Sequence, residues 1–270
     1  MIELIIFSYN RASQLRLLLE SIKINANNLF KINIIYKSSN DKFKDGYDKL
    51  IQEKIIEDIN WVKESIFQDD VKNVFKTTNK KYMCFFTDDD VLFKNIDFEE
   101  IDKSLKKEEI FCFSLRLGQN TTRCYTMNTD NVLVVKKEYK NTITWDWTKH
   151  YLDYNYPLSV DGHIFRTEEI HKLIRKIRFN NPNSLEASLQ MFEYFPREEM
   201  EAFKENVLVG VPVNIVNTEF NNLNGLKYPI DTETLNKKYL EGYYIDYNKL
   251  NFSNIIGCHQ EIEYKFNRNN

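Results

Sequence analysis

Apolar residues run almost unbroken from Ile2 to Phe7, the pattern of a strand buried on both faces, as in a parallel sheet. Polar residues Ser8, Tyr9, Asn10 and Arg11 leave it. Leu15, Leu18, Leu19 and Ile22 then recur at helical spacing, which predicts a helix over 13–25. Ile32 to Tyr36 is the next apolar run, so the chain opens as a βαβ unit. The alternation continues with a mixed helical stretch over 46–59, a short strand over 61–67 and a helix over 69–79. The strongly apolar strand Tyr82–Thr87, a helix over 98–105 and a strand over 110–115 follow.

Past residue 117 the pattern loses its regularity. Strands are expected over 131–135 and 158–166, helices over 167–177 and 184–193, a late strand over 207–216 broken by Pro212, and a helix over 232–241. No internal repeat or linker appears. The expected architecture is one α/β domain with two lobes. A mostly parallel, helix-flanked sheet of Rossmann-like type spans residues 1–117, an irregular half spans 118–225, and a tail over 226–270 packs on the same domain.

Composition narrows the class. A chain of 270 residues with 42% hydrophobic and 29% charged positions can bury a core without disulfides or a structural metal. Net charge is -3, so no basic surplus points to nucleic acid as a partner. Cys84, Cys112, Cys124 and Cys258 form no C-x-x-C pair and fit reduced thiols in a cytoplasm. No apolar stretch approaches the roughly 20 residues of a membrane-spanning helix. A cytosolic location follows as the expectation, with attachment to the inner face of a membrane left open.

Candidate chemistry begins at Asp88-Asp89-Asp90, immediately after the apolar strand. Open α/β sheets bind ligands at the carboxyl ends of their strands. Three adjacent anions repel one another, so something positive should hold them or one should carry a proton. A hard divalent cation, Mn²⁺ or Mg²⁺, meets that need. The plainer alternative is an acidic turn that caps the helix near Asp97.

At this point the residues resemble a glycosyltransferase of the GT-A fold, close to the large family-2-like group. The resemblance rests on IIFSYNRASQLRLLLESI, on YMCFFTDDDVLF with its D-x-D motif, and on the order of a nucleotide half before an irregular acceptor half. It implies a nucleotide-sugar donor, with the cation bridging Asp90 to the diphosphate, Asp88 near the ribose and a further candidate metal ligand, and Asp89 among the donor-binding residues. Such an ion offsets the charge that develops on the leaving nucleoside diphosphate. No G-x-G-x-x-G or G-x-x-x-x-G-K-[ST] phosphate loop is present. Ser8 and Asn10 would meet base or ribose and Arg11 the phosphates; helix capping by Asn10 or Ser13, with a solvated Arg11, competes with that role. Ser38, at the end of the second strand, is a further base-reading position.

An inverting transferase needs a carboxylate base to deprotonate the acceptor hydroxyl. Asp161, beside Gly162, and Glu186, in the first turn of a helix capped by Ser184 or Asn183, compete for that role. Glu186 is the choice, because the family's base commonly sits at such a helix start, and Asp161 is kept as acceptor-binding residue or reserve base. Trp145, Trp147 and His163 are the acceptor-site candidates, the tryptophans because sugar C–H faces pack on rings; rings serve equally well as core. His259 is a candidate further metal ligand, as the resemblance to some members of the fold implies. His150 and His171 are expected at the surface. The basic stretch over 167–178 could meet acceptor phosphate or an anionic membrane, and is otherwise a solvated face.

The implied activity is transfer of a sugar to a glycan or lipid-linked acceptor, in surface polysaccharide synthesis. Two alternatives share the fold. A sugar nucleotidyltransferase would want a glycine-rich basic loop after the first strand, which Ser8–Ser13 lacks. A non-catalytic carbohydrate-binding protein would have little use for an intact acidic triplet.

Overall fold

Strand β1 (Ile2–Tyr9) turns alternate residues to opposite faces, and both faces are covered. Leu4 and Ile6 pack with Leu15, Leu18 and Leu19 of helix α1 (Ala12–Asn25), while Ile5 and Phe7 pack on the other side with Phe67, Val71 and Phe75. Double-sided burial explains the unbroken apolar run. Glu3 is tolerated inside because Asn33 and Thr78 donate to its carboxylate at 2.7 and 2.6 Å.

The computed structural model describes residues 1–192, 197–216 and 223–268. Glu193, the last residue of the expected 184–193 helix, lies outside them. The opening half continues with β2 (Phe30–Lys37), α2 (Asp41–Glu53), β3 (Ile59–Lys63), α3 (Phe67–Thr77) and β4 (Tyr82–Thr87). Helix α2 begins earlier than its apolar spacing suggests because the Asn40 side chain accepts from Phe43 N at 3.1 Å. Next come β5 (Asp90–Leu92), α4 (Phe98–Ser104) and β6 (Ile110–Ser114). Asp97, not the acidic triplet, caps α4.

The second half supplies short β7 (Arg123–Cys124), β8 (Thr129–Asp130) and β9 (Lys137–Glu138), then β10 (Thr142–Asp146), β11 (His163–Arg166), α5 (Thr167–Ile174) and α6 (Pro182–Gln190). It closes with β12 (Glu199–Phe203), β13 (Leu208–Gly210), α7 (Thr232–Leu240), β14 (Tyr243–Ile245) and β15 (Phe266–Arg268). The expected strand over 131–135 does not form. Strand β12 was not expected, because Glu199 and Glu201 break the apolar signal. Glu201 is nevertheless buried, satisfied by Ser104 Oγ at 2.8 Å, Lys107 Nζ at 2.7 Å and Thr142 Oγ1 at 2.7 Å.

Among the described residues, nine strands form one sheet in the order β3-β2-β1-β4-β11-β6-β12-β10-β9. Strands β3, β2, β1 and β4 are mutually parallel, and β6 is parallel to β12. Strand β11 runs antiparallel between β4 and β6. Thus β6 does not pair with β4, and the two expected halves interleave in one sheet rather than dividing at residue 117. A third apolar cluster joins Val91 and Phe93 to Val209, Val211, Leu235, Ile245 and Ile262, which seats the C-terminal tail against β5.

Candidate functional site

The carboxyl ends of β1 and β4 lie side by side, in register from Ile2 against Tyr82 to Phe7 against Thr87. That pairing carries Ser8 to Asp88. Asp88 Oδ2 accepts from Ser8 Oγ at 2.9 Å and from Tyr9 N at 3.0 Å, and Oδ1 accepts from Arg11 Nη1 at 3.0 Å. Arg11 also reaches Asp89 at 3.1 Å. Its other nitrogens are spent on Asn214, Nε on Oδ1 at 2.8 Å and Nη2 on the backbone oxygen at 2.7 Å. The positive charge that the triplet required is therefore an arginine for two of the three acids. Arg11 is buried, not solvated. Burial, set against the pull of Arg11, pushes the Asp88 carboxyl up to about 6.

Helix α1 carries no side-chain cap, so neither Asn10 nor Ser13 plays that part. The Tyr47 hydroxyl accepts from Arg11 N at 3.2 Å instead. Asn10 sits in the left-handed region at φ 59°, which asparagine tolerates better than most residues. Its amide exchanges two bonds with Ser39, at 2.9 and 2.8 Å, and so ties the end of β1 to the end of β2. Ser38 lies half-exposed at the same end of β2.

Asp90 begins β5 and is completely buried. Its Oδ2 accepts from Thr87 N at 2.8 Å, while Oδ1 has no hydrogen-bond partner. Strand β13 pairs with β5, placing Gly210 opposite Asp90. The tail then runs beside β13: Gly210 N donates to Cys258 O and Gln260 N donates to Gly210 O, each at 2.9 Å. That pairing brings His259 into the site from far along the chain. A Cβ on Gly210 would stand 3.2 Å from His259 Nε2 and 3.6 Å from Asp90 Oδ1, so the glycine leaves room between them.

Asp161 completes this group from the loop before β11. Its Oδ2 meets Arg116 Nη1 at 2.9 Å and His259 Nε2 at 3.1 Å, and its Oδ1 is buried without a partner. Burial raises Asp90 well above the ordinary carboxylate range, and the neighbouring Asp161 charge adds to it. Asp161 goes the other way. Burial opposes its charge, but Arg116 and His259 hold it well below the usual range. Burial and Arg116 oppose a charge on His259, yet Cys258 and Asp161 carry its pKa well above the ordinary value.

Among the described residues, no three His, Cys, Asp or Glu side chains stand as a ready cage for an ion. The pieces are present but differently engaged, since Asp161 is turned to Arg116 and His259. The two carboxylate oxygens without a partner, Asp90 Oδ1 and Asp161 Oδ1, are the atoms that could take a hard divalent cation, and His259 could join them only after giving up its proton and its bond to Asp161.

Glu186 lies on α6. Asn181 caps that helix, in a capping box with Ser184, in place of the expected Ser184 or Asn183. The helix therefore starts earlier, and Glu186 falls in the second turn. Its Oε1 accepts from Ser159 Oγ at 2.9 Å and Val160 N at 3.0 Å, which joins it to the Asp161 loop. Burial raises its pKa.

The acceptor candidates separate. Trp145 is wholly buried in the core, with its indole N–H on Tyr154 O at 3.0 Å, so it presents no face to a sugar. Trp147 is half-buried and donates to Arg197 O at 3.0 Å. His163 is buried on β11, and burial lowers its pKa to about 3; it does not line an open groove. His150 is also buried, accepting from Val134 N at 2.9 Å, and His171 stacks on Phe75 with ring centroids 5.2 Å apart. Arg116 and Ser159 escaped sequence reasoning. A lone arginine after an apolar strand carries no signal of its own, although an acid beside Gly162 in a buried segment does call for a cation.

No family model matches the chain. The bifunctional glycosyltransferase pgtA of Dictyostelium discoideum is 29% identical over 212 residues, covering 68% of this chain and 27% of that protein. The chain thus spans about a quarter of that relative's length. Two structures of S. aureus TarS 1-349 share its fold. The complex with UDP-GlcNAc has a TM-score of 0.50 at 11% identity, covering 85% of this chain and 62% of that one. The complex with UDP has a TM-score of 0.50 at 12% identity, covering 77% and 59%. The chain has the GT-A type of Rossmann-like fold. No helix among the described residues is long and apolar enough to cross a membrane.

Proposed function

We propose that this chain is a cation-assisted glycosyltransferase that moves a sugar from a nucleoside diphosphate donor to a glycan or lipid-linked acceptor, with inversion. The observation that carries it is the buried Asp90 carboxylate, with one bare oxygen facing Asp161 and His259 beside the Ser8–Asp88 pair. A ligandless acid at the carboxyl end of a central strand marks a place built for charge that arrives with substrate. The glycosyltransferase relative and the fold shared with UDP-bound structures support the same reading.

In this reading the nucleoside lies over the ends of β1 and β2, near Ser8, Asn10 and Ser38. Asp88 takes the ribose end, and Arg11 with Asp89 borders the diphosphate. Asp90 and His259 would hold Mn²⁺ or Mg²⁺, which supplies Lewis-acid stabilisation of the departing diphosphate. Glu186 is the acid suited to accept the acceptor's proton. Its raised pKa favours proton uptake, and Ser159 with Val160 N fixes its orientation. Asp161 is too strongly paired to serve as base and instead shapes the acceptor side. The expected setting is surface polysaccharide or lipid-linked glycan synthesis, at or near the cytoplasmic face of a membrane.

The test is thermal denaturation with UDP-, GDP-, CMP- and dTDP-sugars, each with and without Mn²⁺. One nucleotide class should stabilise only with the metal, by about 2.7 kcal/mol at a hundred times its dissociation constant. Subsequent release of nucleoside diphosphate, rather than pyrophosphate, separates sugar transfer from nucleotidyl transfer. No stabilisation by any of the four classes would overturn the reading.

A further inference from the structure

Arg116 follows β6 and is buried, with 6% of its surface exposed. A buried guanidinium is costly unless its donors are paired. Here they reach two separate parts of the chain. Nη1 meets Asp161 Oδ2 at 2.9 Å and Ser159 Oγ at 2.8 Å. Nη2 meets Cys258 Sγ at 2.9 Å and His259 Nδ1 at 3.4 Å. Ser159 Oγ in turn donates to Glu186 Oε1 at 2.9 Å. One planar fork therefore touches the Asp161 loop and the returning tail, and reaches α6 through a single hydroxyl.

We propose that Arg116 is the positioning residue of the site, setting Glu186 relative to His259 and Asp90 by acting through Ser159 and Asp161. This rests on the transferase reading above, in which Glu186 takes the acceptor's proton. Arg116 itself reaches neither the nucleotide end nor the acceptor. Its partners lie on the acceptor and tail side, apart from the Ser8, Arg11 and Asp88 group. Lysine cannot replace it fully, because one ammonium does not reproduce a fork that spans Asp161, Ser159 and Cys258.

The test uses the full chain with Mn²⁺ and the donor found by the thermal screen. Ser159→Ala removes the hydroxyl that joins Arg116 to Glu186 and leaves the Arg116 bonds to Asp161 and Cys258 in place. It should lower kcat about 10- to 100-fold, the usual cost of losing an orienting partner, with donor KM unchanged. Ser159→Thr, which keeps the hydroxyl, should restore most of the rate. Arg116→Gln should lower kcat at least as far and should also weaken metal-dependent nucleotide binding, which Ser159→Ala leaves within about twofold, because Arg116 alone of the two touches Asp161 and His259. The double variant should be no slower than Arg116→Gln alone, because both substitutions break one chain of contacts. Wild-type kcat in Ser159→Ala, or losses that multiply in the double variant, would overturn the proposal. If Arg116→Gln fails to fold, Ser159→Ala and its threonine rescue decide the matter. A wild-type chain that binds no nucleotide with metal would strike the transferase reading itself.

Discussion

Asp161 and His259 meet through Oδ2 and Nε2 at 3.1 Å, and the same carboxylate keeps its other oxygen bare within the protein. An acid this well paired on one side and unpaired on the other is half of a larger arrangement. Asp90 beside it has the matching deficiency, and a proton on Asp90 lets the two side chains hydrogen-bond. The two acids differ in charge because their neighbours differ: Arg116 and His259 hold Asp161 ionised, while burial favours the proton on Asp90.

Gly210→Ala tests whether the space between His259 and Asp90 matters. The new Cβ would stand 2.5 Å from His259 Cδ2, so the imidazole must move. The expected cost is about 1–3 kcal/mol of stability. Mn²⁺ affinity, read by calorimetry, should fall at least tenfold. Unchanged affinity would place the ion elsewhere.

Asp90→Asn keeps an oxygen for Thr87 N–H but removes the bare carboxylate. Metal-dependent stabilisation by nucleotide should disappear. The protein alone should melt no lower than wild type, since a buried acid is replaced by a neutral amide of the same shape. Both outcomes are read in one thermal-shift plate.

Arg11→Met leaves Asp88 and Asp89 without their counter-charge and Asn214 without its donor. Breaking a buried pair in this way costs about 3–5 kcal/mol. Urea denaturation should show that loss near neutral pH. It should shrink in acid, where the carboxyl of Asp88 takes up a proton.

Stability should vary with pH through Asp88. Its carboxyl is raised to about 6 in the folded chain, above the ordinary value near 3.8. The folded state therefore binds more proton between those values, and stability falls as pH rises from about 4 to about 6. The span of the effect is about 3 kcal/mol. Asp88→Asn should flatten the curve of melting temperature over that window. A curve of unchanged slope would assign the dependence to another group.

Trp145→Ala should cost about 3–5 kcal/mol through the cavity it leaves, while acceptor KM in surviving protein stays unchanged. A rise in KM with little loss of stability would return this ring to the acceptor site.

The opening half was legible because its signals are local. A strand covered on both faces, such as Ile2–Phe7 or Tyr82–Phe86, announces itself by unbroken apolar residues, and the acidic triplet stands out against it. Strand β12 was hidden because Glu199 and Glu201 point to partners supplied from elsewhere, Lys136 and Lys107 among them. Trp145 and His163 misled for the opposite reason. Aromatic and imidazole side chains suit a sugar groove and a protein interior equally well, and only tertiary packing decides between them. The cluster around Arg116 has no sequence signature at all, since its members come from four distant segments. His259 was pointed to by resemblance, and what delivers it is backbone pairing between the tail and Gly210.

The placement of β11 has a bearing on how the molecule is made. Strands β4 and β6 are complete by residue 114, yet each lacks a neighbour until residues 163–166 arrive to fill the gap between them. During synthesis the nascent chain must hold one open edge on β4, which carries Met83 and Cys84, and both edges of β6, which carries Phe111 and Phe113, because β12 is also still to come. A fragment ending near residue 117 would carry those edges permanently and should self-associate. The candidate site is likewise assembled last, because Asp161 rides in with that strand and His259 follows only when the tail docks.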